Sequence, residues 1–227
     1  FQELDGECVF TSEWDKFAQR TYAVNYGEFP KGDITKISAK AIPKHDILLA
    51  GFPCQAFSNA GLKKGFDDTR GTLFFEIQRI IAHHKPKAFL LENVKQFKGH
   101  DNGKTLETLL SVLSGNKSKE IPKNIKLSKE TRKALETQLN YSITYKVLSS
   151  KDFGVPQNRQ RIYIVGFDKD QIDINDDEVE RFFENVIAKN YPNPSLRKAL
   201  FSNSEVEKKY TISDRLWHGH QRRKTEH

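Results

Sequence analysis

The sequence has no methionine in 227 positions and only two cysteines and two tryptophans. It also lacks long apolar runs. Stretches such as Asp46 to Phe52 and Ala88 to Leu91 fall far short of the roughly 20 residues a membrane-spanning helix needs, and no signal peptide opens the chain. No membrane attachment and a cytoplasmic location are therefore expected. Cys8 and Cys54 read as two free thiols of a reducing compartment, because a disulfide framework needs more cysteines in a smaller chain. With Phe at position 1 and no Met anywhere, residues are expected to be missing at least from the start.

What is present is base and aromatic carbon. Lys and Arg number 37 against 30 Asp and Glu, a net charge of +7, which points to an anionic partner while most of these charges form a solvated surface. The 37% apolar residues, with 16 Phe, suffice for the core of one mid-sized domain with an appendage.

Gly6 to Ser12 reads as a short strand, and Trp14 to Tyr26 as a helix with Trp14, Phe17, Ala18 and Tyr22 at helical spacing. The rhythm repeats in a continuous apolar strand over Asp46 to Ala50 closed by Gly51, an amphipathic helix over Thr72 to His83, and a buried strand over Lys87 to Leu91. Such alternation predicts an α/β fold whose parallel sheet is covered on both faces. Residues 114–127, polar and basic with Gly115 and Pro122, predict an exposed insertion; a helix capped by Ser128 and reaching Leu139 follows it. Ser142 to Leu148 and Arg161 to Phe167 read as two further strands. Beyond Asp168 an acidic stretch leads to a helix from about Asp176 to Ala188, and Tyr191-Pro-Asn-Pro-Ser195 is a breaker near which the compact domain is expected to end. Residues 210–227 are polar and basic, and read as a segment cut short.

Open parallel sheets hold their ligands outside the carboxyl ends of the strands, and two reactive side chains fall there. Cys54, in Gly51-Phe-Pro-Cys-Gln55, follows the first buried strand and is placed to act as a nucleophile once a polar setting makes its thiolate; the competing reading is a small buried hydrophobe. Glu92 emerges from Phe89-Leu-Leu-Glu-Asn-Val94, where desolvation would favour its acid form; a salt-bridged or capping carboxylate is the alternative. Gln157, Arg159 and Arg161 alternate, so in an extended segment all three share a face and could orient an acid or bind phosphate, against the alternative of solvated surface arginines. Glu13, before Trp14, stands where nucleotide-type folds place the partner of ribose hydroxyls, with an aromatic able to stack on a base. Asp33, in Gly32-Asp-Ile-Thr35, is a turn residue able to accept from an adenine amino group.

Gly51-Phe-Pro-Cys-Gln55, Glu92-Asn-Val94 and Gln157-Asn-Arg-Gln-Arg161, in this order and on these elements, closely resemble the three central motifs of the DNA (cytosine-5)-methyltransferases. Asp67-Asp-Thr-Arg-Gly-Thr-Leu73 resembles another motif of that family, and Ser12-Glu-Trp14 with Gly32-Asp-Ile34 resemble its cofactor-pocket motifs. The resemblance runs from about Gly6 to Phe167. It implies a Rossmann-like, doubly wound, mostly parallel sheet, the S-adenosylmethionine-dependent methyltransferase fold. The implied cofactor is S-adenosyl-L-methionine, released as S-adenosyl-L-homocysteine, with no metal. Glu13 would hold the ribose, Trp14, Asp33 and Ile34 the adenine, with Pro53 and Leu73 lining the pocket. For a flipped cytosine, Cys54 would add to C6 and Glu92 would support N3 and the exocyclic amine. Arg161 would steady the base and Arg159 brace the site with Gln157, while Pro53, Gln55, Ser58, Asn93 and Val94 would contact the substrate. The loop Ser58 to Thr69 is similar to the family's mobile segment that closes over DNA.

Against that pattern, the glycine-rich first strand and the closing motifs are absent. Thr211-Ile-Ser-Asp-Arg-Leu-Trp217 and Gln221-Arg-Arg-Lys224 resemble the entry to a target-recognition region. Residues 1–209 are thus expected to be the methyltransferase core, lacking its first strand, and 210–227 that entry. The implied setting is a monomer acting on double-stranded DNA in a bacterial cytoplasm, or associated with the nucleoid, as part of restriction-modification with a cognate endonuclease as genetic partner. A tRNA cytosine-5 methyltransferase would need the same thiol and acid. A binding module of the same fold that no longer turns over is the alternative from another class. A cysteine hydrolase would need a histidine partner, and neither His83 nor His84 stands in such a motif.

Overall fold

The computed structural model describes residues 4–52, 73–116, 127–187, 191, 195–200, 202, 205–207 and 212–222. They belong to two compact units, the first comprising Phe1–Ser149 with Gln160–Asn190 and the second Ser150–Arg159 with Tyr191–His227.

The first unit is built on four strands, β1 (Ile47–Gly51), β2 (Ala88–Val94), β3 (Tyr141–Ser149) and β4 (Gln160–Asp168), in the order β1-β2-β4-β3. β1 and β2 pair in parallel, whereas β4 is antiparallel to both of its neighbours. Three strands therefore run one way and β4 runs against them. The sheet is mixed rather than simply parallel, because β3 and β4 follow one another through a short connection that an antiparallel pair tolerates and a parallel pair does not.

Helices α1 (Lys16–Tyr26), α2 (Leu73–His84), α3 (Lys104–Ser114), α4 (Lys129–Ala134), α5 (Asp176–Glu180) and α6 (Phe182–Ile187) complete this unit. The core clusters around α2 and β2: Phe74, Phe75, Ile81, Phe89, Leu91, Phe97, Leu109, Leu113, Ile162 and Ile164 are fully enclosed. The amphipathic pattern expected of α2 is not what forms. It buries Phe74, Phe75 and every residue from Ile77 to Ala82, because α4 covers the side that carries its polar residues. Gln78 Nε2 donates to the Ala134 carbonyl at 3.0 Å and Thr131 Oγ1 to Glu76 Oε1 at 3.0 Å.

Several expectations are corrected. Gly6 to Ser12 forms no strand: its strand-type pairing among the described residues is an isolated bridge between Ser12 and Lys31, too short to make a ladder. Among the described residues, the two faces of β1 are unequally covered: Leu48 is buried while Ile47 and Leu49 are about half exposed. α3, which the sequence pattern did not predict, presents Leu106, Leu109 and Leu113 to the core and ends at Gly115, which takes φ 80°. Ser128 caps α4 as expected, but that helix stops at Ala134 and Leu139 instead turns into the core. The acidic helix is interrupted at Arg181, whose ψ of −2° ends α5. Residues 117–126 of the expected insertion lie outside the described residues.

Within the second unit, Ser150–Phe153 forms a single tight turn, the Phe153 and Tyr191 rings meet at 5.4 Å, and two short helices follow, α7 (Leu196–Ala199) and α8 (Asp214–Arg222). No helix among the described residues is long and apolar enough to cross a membrane.

Candidate active site

The parallel register of β1 and β2 sets Gly51 directly beside Glu92. A Cβ on Gly51 would lie 3.5 Å from Glu92 Oε2, so this carboxyl reaches across to the end of β1, two residues before the segment that holds Pro53 and Cys54. Arg161 enters from the other side. On β4 it pairs with Val94, and it reaches diagonally along the same face to Glu92, with Nε 2.8 Å from Oε1. Its Nη1 donates to the Gln160 carbonyl at 2.8 Å, which fixes the plane of the guanidinium. Arg161 is one-fifth exposed and Glu92 about one-third, so the acid is not sunk in an apolar pocket as expected; it stands in an ion pair at the rim of the sheet. Such a pair holds one carboxyl oxygen in place on Arg161, while the other lies toward the end of β1.

Asn93 projects from the opposite face of β2 and is 1% exposed. Its Nδ2 donates to the Phe52 carbonyl at 3.2 Å and its Oδ1 accepts from Val94 N at 2.8 Å. The side chain thus fixes the direction in which the chain leaves β1, while the Phe52 ring stacks edge-on to Phe97 at 5.3 Å. Replacing Asn93 by Ala leaves that buried carbonyl without this donor, and denaturant titration should show a loss of about 1–3 kcal/mol. No change in midpoint would show that the clamp is not holding the chain. Val94 is likewise buried beneath this edge.

Gln157, Arg159 and Arg161 do not share one extended run. β4 begins at Gln160, and Gly154 at φ 80° with Pro156, which lacks an N–H, turns the preceding residues into a loop of the second unit. That loop closes on Ser150: its N–H donates to the Arg159 carbonyl at 3.1 Å, its hydroxyl accepts from Arg159 N at 3.2 Å and donates to the Gln157 carbonyl. Both Gln157 and Arg159 have exposed side chains.

A second cluster forms where residues 11–13 run alongside 31–32. Lys31 N donates to the Thr11 carbonyl and Glu13 N to the Lys31 carbonyl, both at 2.9 Å, and Ser12 Oγ donates to the Gly32 carbonyl at 2.6 Å. These bonds bring Glu13 and Trp14 into one neighbourhood with Asp33 and Ile34. Glu13 commits Oε1 to Asp15 N at 2.8 Å, and Asp15 caps α1. Trp14 is 79% exposed, an indole face presented to solvent. Asp33 caps the turn Ile34–Lys36 through Oδ1, which accepts from Thr35 N and Thr35 Oγ1; these bonds, with Lys36, hold its carboxyl below the usual aspartate range. Leu73 opens α2 and is half-buried.

Cys54, Pro53, Gln55 and Ser58 lie outside the described residues, as do Asp67 to Thr72 and the loop Ser58 to Thr69. Cys8 is a free, exposed thiol. Among the described residues no group of three His, Cys, Asp or Glu side chains could hold a metal ion.

The family model described as C-5 cytosine-specific DNA methylase matches residues 1–116 and 122–227. The Type II methyltransferase M.SsoII of Shigella sonnei is 51% identical over 95% of this chain and 49% of its own length. The Type II methyltransferase M.DsaV of Dactylococcopsis salina is 47% identical over 100% of this chain and 56% of its own. The chain therefore spans about half the length of the curated relatives it matches. Among solved structures, S. pombe Dnmt2 methyltransferase superposes with a TM-score of 0.59 at 19% identity, covering 95% of this chain and 58% of that one, which shows a shared fold.

Proposed function

The chain belongs to the C-5 cytosine-specific DNA methylase family, and from that premise we propose that it forms the catalytic core of an enzyme that methylates C5 of a flipped cytosine in double-stranded DNA within a restriction-modification system. The observation that carries the reading is the Glu92–Arg161 pair at 2.8 Å, set beside the end of β1 where the chain runs on to Cys54. In this reading residues 1–209 are the core and 210–227 open the target-recognition region.

The first-unit cluster fits S-adenosylmethionine. Glu13 is a carboxylate suited to a ribose diol, Asp33 an acceptor for an amino group, and the exposed Trp14 a face on which adenine can stack. When bound, S-adenosylmethionine supplies a methyl group activated by sulfonium. The chain's own residues do the rest. Cytosine C5 is too electron-poor to accept that methyl until a nucleophile has added beside it. Cys54, as thiolate, adds to C6, and Glu92, oriented by Arg161, supports N3 and the exocyclic amine so that C5 gains enamine character. After transfer a base removes the C5 proton and the C6–S bond breaks, returning the thiolate. Drawing the base from the duplex costs a few kcal/mol, which contacts in the pocket offset, and the excess of Lys and Arg suits the phosphates.

The test is covalent trapping by the full-length protein on DNA containing 5-fluorocytosine with S-adenosylmethionine. Fluorine cannot leave as a proton does, so the adduct persists. A denaturation-resistant adduct mapping to Cys54 and lost in Cys54→Ala is expected. An adduct on tRNA alone would move the substrate to RNA, and none on either would leave a binding module.

A further inference from the structure

Arg79, in the middle of α2, belongs to none of the functional motifs, yet its guanidinium meets Glu76, Glu130 and the main-chain carbonyls of Ile34 and Ile37. Its side chain is 2% exposed. A buried guanidinium is costly unless its hydrogens are taken up, so its partners state what it holds. Nε donates to Glu76 Oε2 at 2.9 Å, and Nη2 lies 2.7 Å from the same oxygen. Nη2 also donates to two main-chain carbonyls, Ile37 at 2.9 Å and Ile34 at 3.2 Å. Nη1 faces Glu130 Oε2 at 3.4 Å, an ion-pair separation without a directed hydrogen bond.

Those two carbonyls belong to the turn Ile34–Lys36 and the residue that closes it. Three residues of tight helix cannot hold themselves in place, since one turn fixes many dihedrals for few bonds. The next residues are fastened from the same side. Glu130 Oε1 accepts from Ser38 Oγ at 3.1 Å and from Ala39 N at 3.0 Å, and the Ala39 carbonyl lies 2.8 Å from His84 Nε2. Positions 34, 37, 38 and 39 are therefore strapped to α2 and α4 by one ion-paired group, while Asp33, immediately before them, spends its side chain on its own turn.

We propose that Arg79, with Glu130, is a positioning residue for cofactor binding, holding the Asp33–Ile37 turn at the height and tilt at which Asp33 and Ile34 meet the adenine. This rests on the reading that those two residues border S-adenosylmethionine. Arg79 touches neither cofactor nor base and acts through the Ile34 and Ile37 carbonyls. A compact ammonium cannot span two carbonyls and two carboxylates at once, so lysine is not a conservative replacement here.

The experiment measures S-adenosylhomocysteine binding by calorimetry, methyl transfer to unmethylated bacterial DNA, and thermal unfolding for full-length wild type, Arg79→Lys and Glu130→Gln. Glu130 is 43% exposed, so its variant keeps a folded protein even if Arg79→Lys does not. The expected result is an S-adenosylhomocysteine Kd raised about tenfold in Arg79→Lys and about threefold in Glu130→Gln, with KM for S-adenosylmethionine rising in step. DNA affinity, and kcat at saturating cofactor, should stay within about twofold of wild type. A merely structural ion pair would lower melting temperature and weaken cofactor and DNA together, or leave cofactor affinity unchanged, and either result overturns the proposal. Wild type that binds no S-adenosylhomocysteine would overturn the cofactor reading itself, whereas wild type that binds it and is indifferent to both substitutions overturns the role of Arg79 alone.

Discussion

Replacing Glu92 with glutamine should lower methyl transfer by about 10³-fold, while S-adenosylhomocysteine binding and DNA affinity change by no more than about threefold. The substitution keeps nearly everything except the proton. A glutamine carbonyl can still accept from Arg161 Nε, which now lies 2.8 Å from the carboxylate, and its amide can still lie beside Gly51. What it cannot do is exchange a proton with N3, and without that the addition of a thiolate at C6 is slowed. Alanine is the less informative change, because it also leaves the Arg161 guanidinium without its carboxylate and mixes an electrostatic cost into the chemical one. Single-turnover methyl transfer at saturating cofactor, with calorimetry on the same preparation, separates the two. A loss of tenfold or less would mean that Glu92 only shapes the site, and a matching loss of cofactor affinity would assign it to the other cluster.

The adjacency that makes this prediction possible was legible in the sequence, but only halfway. An apolar run closed by Gly51 and another closed by Glu92 announce neighbouring strand ends, and the register of β1 with β2 bears that out. The partner of Glu92 was harder to read, because Arg161 reaches it only since β4 is inserted between β2 and β3, and spatial strand order is written in no local pattern. The alternation of Gln157, Arg159 and Arg161 suggested a single face; Gly154 and Pro156, both visible in the sequence, are what break it. Leu106, Leu109 and Leu113 carried a helical spacing that the polar residues around them hid. Arg79 was the hardest: a charged residue within Leu73-Phe-Phe-Glu-Ile-Gln-Arg-Ile-Ile81 reads as a solvent face until α4, more than fifty residues on, covers it.

The same pair of strands can be tested for how tightly it is held. Gly166 of β4 lies opposite Phe89 of β2, and a Cβ there would fall 2.2 Å from Phe89 Cζ and 2.4 Å from Cε1, well inside contact distance. The phenyl ring occupies the place a side chain would take. It cannot swing aside freely, being 1% exposed and packed 5.1 Å from the Tyr141 ring, whose hydroxyl is itself fixed on the Pro86 carbonyl at 2.6 Å. Gly166→Ala should therefore destabilise by about 1–3 kcal/mol, as overpacking a close-fitting core does, and lower the melting temperature by about 3–10 °C. Phe89→Leu alone opens a cavity and also destabilises. Combined, the two should cost clearly less than their separate effects added, because the smaller side chain vacates the space that the new methyl enters. Additive losses would show that the ring already moves without resistance. Because Glu92 and Arg161 stand on these two strands, activity in the single variant should fail at the temperature where the strands part, and the double variant should regain both together.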